Sequence, residues 1–378
     1  MSRVHIVHNP ALSGVAQFTG SFGVSNYRHR IGANIGFDTC SFDIRHEKHV
    51  LEDMFYTGLG RRLTRYSRDG NFVVWDGFIS EMTLVQPGLS MRISLKEMWN
   101  RASVRYTPID TGTNPPTESA ETSTAVVDDT TSQAKYGIKE KYFSPPKIDR
   151  MIAGNAAQYA TVMLSQYREP KRDEDFASGS NDSKLTVFCE GFMHTLGWRI
   201  YNQTAVSGQD YVYVVAGTII TGVGQFIYDT DFDTNTTQIQ KYYNRDNTAL
   251  DILQAAAGIG DNTNRRWLFY MLENRILQYK LASTAVNYIR RVSDRKQEIL
   301  DTSGRAIPFY EVRPNNWLRN SDVMPHGLTP ANMQDDFPSM FVESVQYNEP
   351  DTLALAGSLG GIAQVIIARA ADQGDRLL

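Results

Sequence analysis

Four stretches carry residue types and spacings that suggest metal or phosphate chemistry. In RHEKHV (45–50), His46 and His49 flank Glu47. The order is one residue short of the zinc signature H-E-x-x-H, in which two histidines four apart meet one ion on a helix face. Spaced three apart and without an evident third ligand, they read as solvated residues at a helix start. In DTDFDTN (229–235), Asp229, Asp231, Asp233 and Asn235 alternate as calcium-loop ligands do. Thr234 stands where that loop needs glycine, and Gln240 where it needs a bidentate glutamate. The stretch therefore reads as a strand with four oxygens on one solvated face. The glycine turns TGVG (221–224) and LGG (359–361) lack both the G-x-G-x-x-G frame and the βαβ setting of a nucleotide site.

No nucleophile elbow, phosphate loop or kinase signature is legible, so the expectation is a chain that is not an enzyme and holds no cofactor or metal. Cys40 and Cys189, the only cysteines, lie in apolar, strand-like surroundings and read as two buried thiols rather than a disulfide. Trp198, Trp267 and Trp317 each fall in a strand-like run beside an arginine (Arg199, Arg266, Arg319). Core or intersubunit packing under an arginine stem is the plain reading, and a sugar-binding platform the sharper one. The basic strip YIRRVSDRK (288–296) reads as a solvated or intersubunit face rather than a phosphate site.

The elements that must position these residues are mostly strands. The chain has 378 residues, 41% hydrophobic, with a formal net charge of -4. That is enough for about two or three domains, without the basic excess of a nucleic-acid surface. No apolar run is long enough for a membrane-spanning helix, and the N-terminal MSRVHIVHNPALSG lacks the apolar core of a secretory signal, which predicts a chain made and kept in a cytosol. Residues 71–85, 184–193, 210–220, 265–282 and 339–347 are rich in β-branched and aromatic residues between Gly, Asn, Asp or Pro, and predict strands. Hairpins are expected at Asp69-Gly70 and Ser303-Gly304. Helices are expected over 146–168, with an apolar face of Ile148, Met151, Ile152, Tyr159, Val162, Met163 and Tyr167, and over 247–260, from a cap at Asn247 or Thr248 to Gly258. A short one is expected near 47–60, and another from Gly361 toward the C-terminus. The Thr-, Ser- and Pro-rich segment 107–135 predicts a long exposed loop.

One pattern recurs. FISEMTLVQP (78–87) and FVESVQYNEP (341–350) align with Phe78 on Phe341, Ile79 on Val342, Met82 on Val345, Leu84 on Tyr347 and Pro87 on Pro350. Both predict a strand whose ladder stops at a proline. The phrases GLGRRLTRYSRDGNFVVWDGFISEMTL (58–84), GFMHTLGWRIY (191–201), residues 247–279, YEVRPNNWLRNSDV (310–323) and MFVESVQYNEPDTLAL (340–355) resemble, in order, segments of hub proteins from the tail tip or baseplate of tailed bacteriophages.

The resemblance implies a mainly β (α+β) fold with two tail-tube-like β-barrel domains on one chain, a few helices and the long polar loop. Its divisions are an N-terminal barrel-like domain (1–106), the polar loop (107–135), a helical connector (136–183), a β-rich domain with a helix near 247–258 (184–290), second barrel-like strands (291–357) and a C-terminal helix (358–378). It implies a homotrimeric virion hub that presents six barrels to a sixfold tail tube. Its partners are the tube or distal tail protein, spike, fibre or other baseplate proteins, and the tape-measure protein. DNA is only passing cargo, no membrane is bound in the free form, and assembly takes place in the host cytoplasm. Phe78, Pro87, Phe341, Pro350, Trp198, Trp267 and Trp317 are the structural and assembly candidates. The alternatives are a glycan-binding or glycan-cleaving tail module and a single-barrel adaptor forming a hexamer.

Overall fold

The computed structural model describes residues 2–369 apart from 8–17, 68–69, 146–149, 177–182, 204–209, 240–245, 294–295, 321–339, 350–351 and 360–361. The fold is mainly β. Strands β1 (Ser2–Val7), β2 (Phe18–Gly32) and β3 (Gly36–Ile44) lead through helix α1 (Lys48–Thr57) to β4 (Arg62–Tyr66), β5 (Val73–Gln86) and β6 (Leu89–Ser94). The β4–β5 hairpin closes where the sequence expects it, with Gly70 at φ 77° and the Ser67 N–H donating to Phe72 O at 2.8 Å. Asp69 lies outside the described residues. Pro87 and Gly88 (φ 76°) form a two-residue turn joining Gln86 to Leu89, the Pro-Gly order that a tight turn with a left-handed second residue needs.

Next comes a smaller sheet centred on β7 (Arg101–Asp110). It takes β8 (Thr117–Glu118), β9 (Thr122–Ser123) and β10 (Val127–Asp128) antiparallel, and after helix α2 (Thr130–Tyr136) it takes β11 (Glu140–Phe143) and β12 (Arg150–Met151) parallel. The segment read as one long polar loop is thus the end of β7, an exposed ribbon folded back on it, and a helix. The ribbon buries almost nothing. The helix is anchored, because the Asn100 amide donates to Gly137 O at 2.7 Å and Ser132 Oγ at 3.3 Å, and its Oδ1 accepts from the Lys139 N–H at 2.7 Å. Asn100 is fully buried, so these bonds satisfy a group that would otherwise be desolvated at a cost.

Helix α3 (Ala153–Tyr167) begins later than the sequence pattern indicates, after β12 at 150–151. Its buried stripe is Ala156, Ala160 and Leu164, whereas Val162 is half exposed. Small residues let the helix sit close against β7, and Val162 turns outward. Strand β13 (Lys171–Asp175) pairs with β6, and β14 (Lys184–Glu190) returns to the main sheet.

A 3-10 turn (Phe192–Trp198) follows, so Trp198 lies in a helical turn rather than in the expected strand. The run expected as a strand over 210–220 supplies only β15 (Asp210–Tyr211) and then helix α4 (Val212–Val223). Valines and isoleucines fit a strand or a buried helix face, and burial of Val212, Ala216, Ile219 and Val223 at helical spacing selects the helix. After β16 (Asp229–Phe232) and β17 (Gln238–Ile239), helix α5 (Ala249–Ala257) starts with Thr248 Oγ1 accepting from the Asp251 N–H at 3.1 Å and ends at Gly258, as its sequence predicts. Strands β18 (Trp267–Met271) and β19 (Ile276–Leu281) form a hairpin.

The chain ends on β20 (Val286–Ser293), β21 (Lys296–Leu300), β22 (Ala306–Ile307), β23 (Asn316–Asn320), β24 (Met340–Asn348), β25 (Thr352–Leu359) and β26 (Ile362–Arg369). The Ser303-Gly304 hairpin forms between β21 and β22. The expected C-terminal helix is instead β26, in continuous antiparallel register with β25 from Leu359–Ile362 to Thr352–Arg369. The free edge of β25 supplies a ladder that outweighs the alanine content of the segment.

Pairings β1–β2, β2–β3, β3–β14, β14–β5, β5–β4 and β4–β1 return to their start, closing a ring of six antiparallel strands. A second set of six runs β21–β20–β23–β24–β25–β26. Among the described residues no ladder joins β26 to β21.

Because the ribbon is exposed while Asn100 is enclosed, deleting residues 111–121 should leave the melting temperature within a few degrees of the parent. Asn100→Ala should cost about 2–4 kcal/mol in denaturant melts, since it strands buried donors and acceptors.

Candidate functional site: the junction of two strand sets

The aligned strands β5 and β24 carry the same irregularity at the same place. Along β5, Glu81 and Ile79 oppose the consecutive residues Phe188 and Cys189, so Ser80 is extra. Along β24, Ser344 and Val342 oppose Ala356 and Gly357, so Glu343 is extra. Ser80 and Glu343 coincide when Phe78 is set on Phe341. Each bulge carbonyl accepts a hydrogen bond from the residue just beyond a third strand: Leu95 N–H to Ser80 O at 2.9 Å, and Ala33 N–H to Glu343 O at 2.7 Å. One residue earlier the match continues. Gly60 N–H donates to Ile79 O at 2.9 Å and Asn315 N–H to Val342 O at 3.0 Å, with both donors in the left-handed region at φ 79° and 61°. A bulge re-aims a strand and increases its twist. Here it hands each strand from one partner to another: β5 from β4 to β6, and β24 from β23 to β2.

The bulge also shifts the alternation by one residue, so that Val342 before it and Val345 after it face the same core. Val342, Val345 and Tyr347 join the main core, whereas Phe341 packs in a separate cluster with Ala33 and Leu268. Phe341 and Val345 therefore do not point inward together, as simple alternation predicts. Phe78 and Phe341 are both buried, at 1% and 4% exposure, each edge-on to a tryptophan: Trp198 at 5.1 Å and Trp317 at 5.7 Å. Gly77 is required beside Phe78, since a Cβ there would lie 2.3 Å from the Trp75 ring and from Glu190 O. Pro350 lies outside the described residues.

Trp198 is capped by the Lys139 ammonium at 4.7 Å. That buried lysine donates to Leu95 O, and burial pulls its pKa down to about 8. Trp267 stacks obliquely on Tyr279 at 4.9 Å and donates to Asp261, and Trp317 donates to Ser283 O. The arginines are engaged elsewhere: Arg199 faces Glu140 at 3.5 Å, and Arg266 pairs with Glu343 and lies over Phe341. His46 and His49 are exposed. Asp231 and Asp233 share the Lys280 ammonium at 2.7 and 2.8 Å. Asn235, expected on the solvated face, is instead buried against Gly260 O and the Tyr279 hydroxyl. Cys40 and Cys189 are free, buried, and opposite each other across β3 and β14.

The closed ring and the second, open set of strands meet on β2. Its first half pairs with β1, and after Asn26 (φ 53°) its second half, Arg28–Gly32, pairs with β24. Asn tolerates that backbone better than most residues, and its amide donates to Asp43 at 2.7 Å. Around this junction lies a charged aromatic cluster that sequence reading missed. The Arg65 guanidinium sits 3.8 Å from the Tyr27 ring centre and 5.5 Å from that of Tyr347, with the Glu349 carboxylate at 3.7 Å. Such contacts are strong where water is excluded. His29 lies between Tyr27 and Tyr347, and neither ring nitrogen has a hydrogen-bond partner among the described residues. Burial, then Arg313 and Arg65, holds its pKa well below 6.5. Arg313 donates to Val73 O and Tyr310 O, and burial lowers its pKa to about 10. The available sequence signal for the bulges was the polar pair, Ser80-Glu81 and Glu343-Ser344, inside apolar strands.

No family model and no curated protein matches this chain. Its fold is similar to the 43 kDa tail protein of prophage MuSo2 from Shewanella oneidensis, at 10% identity and TM-score 0.42, over 98% of this chain and 97% of that one. It is also similar to a tail protein from Neisseria meningitidis, at 9% identity and TM-score 0.43, over 99% and 96%. A third likeness is to an E. coli type VI secretion component described as similar to T4 bacteriophage tail proteins, at 8% identity and TM-score 0.39, over 93% and 74%. Likeness at this level concerns fold, and the functional reading rests on the chain's own geometry.

Phe78→Ala should cost about 3–5 kcal/mol and Phe341→Ala, in the smaller cluster, about 2–3 kcal/mol, with the double variant additive in denaturant melts. His29 has a folded pKa below its unfolded one, so the unfolded chain binds the extra proton and stability falls as pH drops below about 6.5. His29→Phe should remove that part of the acid-side loss, seen as a flatter melting temperature between pH 7 and pH 5 (about the range over which histidine titrates).

Proposed function

We propose that this chain is a non-enzymatic structural protein of a phage tail, the hub ring of a tail tip or baseplate. Three copies form a homotrimer in which each chain contributes two strand rings, so that six surround one lumen and meet a sixfold tube. Spike, fibre or receptor-binding parts attach on the other side, and the ring helps to gate genome passage. The observation that carries this reading is the repeated bulge at Ser80 and Glu343, with its matching carbonyl acceptors and left-handed donors. Together with the ordered resemblance to hub proteins, it supports duplication of one strand unit within the chain.

Two alternatives fit less well. A single-ring hexameric adaptor has no use for a second bulged strand. A glycan module needs open aromatic faces, whereas Trp198 and Trp267 are buried and Trp317 is half-buried, each with a polar or aromatic partner. The formal net charge of -4 suits a lumen that passes DNA without holding it.

Light scattering on the purified chain after size exclusion tests the proposal. A particle of three chain masses is expected at micromolar concentration. A monomer that persists to the highest soluble concentration, or a particle of six chains, would contradict it.

A further inference from the structure

We propose that the cleft between α1, α2 and the start of β13 binds an acidic peptide segment of a neighbouring polypeptide. The cleft has a volume of about 600 Å³, within the usual range of ligand sites. Its floor is apolar, from Leu59 and Ile93, and its walls carry two aromatic rings, Tyr56 and Tyr136. Tyr56 is 52% exposed, so its ring is accessible from the cleft. Three cations, Arg61, Lys135 and Arg172, face one carboxylate, Glu169, in the lining.

Arg61 is the cation placed deepest among the chain's own elements at the cleft. It is half-buried, and its side chain makes no hydrogen bond or ion pair among the described residues; burial lowers its pKa, with Asp53 the carboxylate that acts against that shift. The C-terminal ends of α1 and α3, at Gly58 and Arg168, lie close by and offset part of the positive charge. Carbonyl dipoles at that range favour a cation but do not supply the planar, bidentate acceptor that a guanidinium binds best. Arg172 lies 5.2 Å over the Tyr56 ring, which fixes one wall and leaves its guanidinium edge available to an acceptor.

A carboxylate pairs with Arg61 and Arg172, and an adjoining apolar or aromatic side chain covers Leu59, Ile93 and the tyrosines. A free inorganic anion does only the first, so the mixed lining favours a peptide. The position is also consequential: Arg61 O accepts from the Ile79 N–H at 2.9 Å, directly beside the Ser80 bulge. A bound segment would press on the point where β5 changes partner. The inference stands apart from the hub reading, since it concerns the isolated chain and any polypeptide of this chemistry.

The test is a fluorescent tetrapeptide library with Glu, Lys, Leu, Tyr or Ser at each position, screened against the full chain and against Arg61→Gln/Arg172→Gln. Selection of Glu next to Tyr or Leu by the parent is expected, with at least tenfold weaker binding of the selected peptide by the variant. Lys48→Gln, at the far end of α1, should bind as the parent does. Unaltered far-ultraviolet dichroism and melting temperature establish that the variant is folded. Absence of selection, equal binding by the folded variant, or complete displacement of the peptide by millimolar inorganic phosphate would overturn the proposal, the last by showing a simple anion site. None of these outcomes bears on whether the chain forms a trimer.

Discussion

A strand has two edges, and β2 uses its length to serve a closed ring and a second, open set of strands with them. It keeps β3 along one edge while the other passes from β1 to β24. Every feature at the centre of the molecule follows from that transfer. Asn26 supplies the backbone turn, the Glu343 bulge receives the end of β2 through Ala33, and the Glu349 N–H closes the seam on Tyr27 O at 2.8 Å. The ring built from β1 to β14 closes by pairing alone. The one built around β24 depends on a strand borrowed from it, so the two cannot be separated without exposing a hydrogen-bonding edge.

Charge at the junction acts on specificity. Arg65 and Arg313 are taken from water into an aromatic setting, with Tyr27, Tyr347, Phe72 and Tyr310 as much of their company. Buried cations gain little net stability once desolvation is counted, but they penalise alternative packings that leave them without partners. His29 adds a group that must remain neutral beside two guanidinium groups. A wholly apolar junction would bind more generously and define relative ring position less sharply. The same logic separates Phe78, in a large core, from Phe341, in a small satellite cluster next to a half-buried tryptophan.

The legible parts of the sequence were those set by local chemistry. The Asp69-Gly70 and Ser303-Gly304 hairpins, the Thr248 cap, the stop at Gly258 and the alternation in β14 each follow from residues close in sequence. The paired Phe78 and Phe341 segments were visible because their apolar residues and closing proline share one spacing. Errors arose where tertiary contacts decide. Residues 212–223 look like a strand until burial of the Val212, Ala216, Ile219 and Val223 stripe is known, and residues 362–369 look helical until β25 offers an edge. The face of α3 was misplaced because large apolar residues draw the eye, whereas close approach to a sheet favours Ala156 and Ala160. The Arg65, Tyr27, His29 and Tyr347 cluster assembles residues from β2, β4 and β24 and has no local signature.

The central claim is that one chain carries two copies of a bulged strand unit placed so that three chains surround a lumen with six. Electron cryomicroscopy of the purified oligomer, reconstructed without imposed symmetry, addresses it directly. The account predicts six strand rings around one axis, alternating between a form bearing the β7 sheet and a form without it. A reconstruction with a single ring per chain at the lumen, or with the β24 strands turned away from it, would contradict the account.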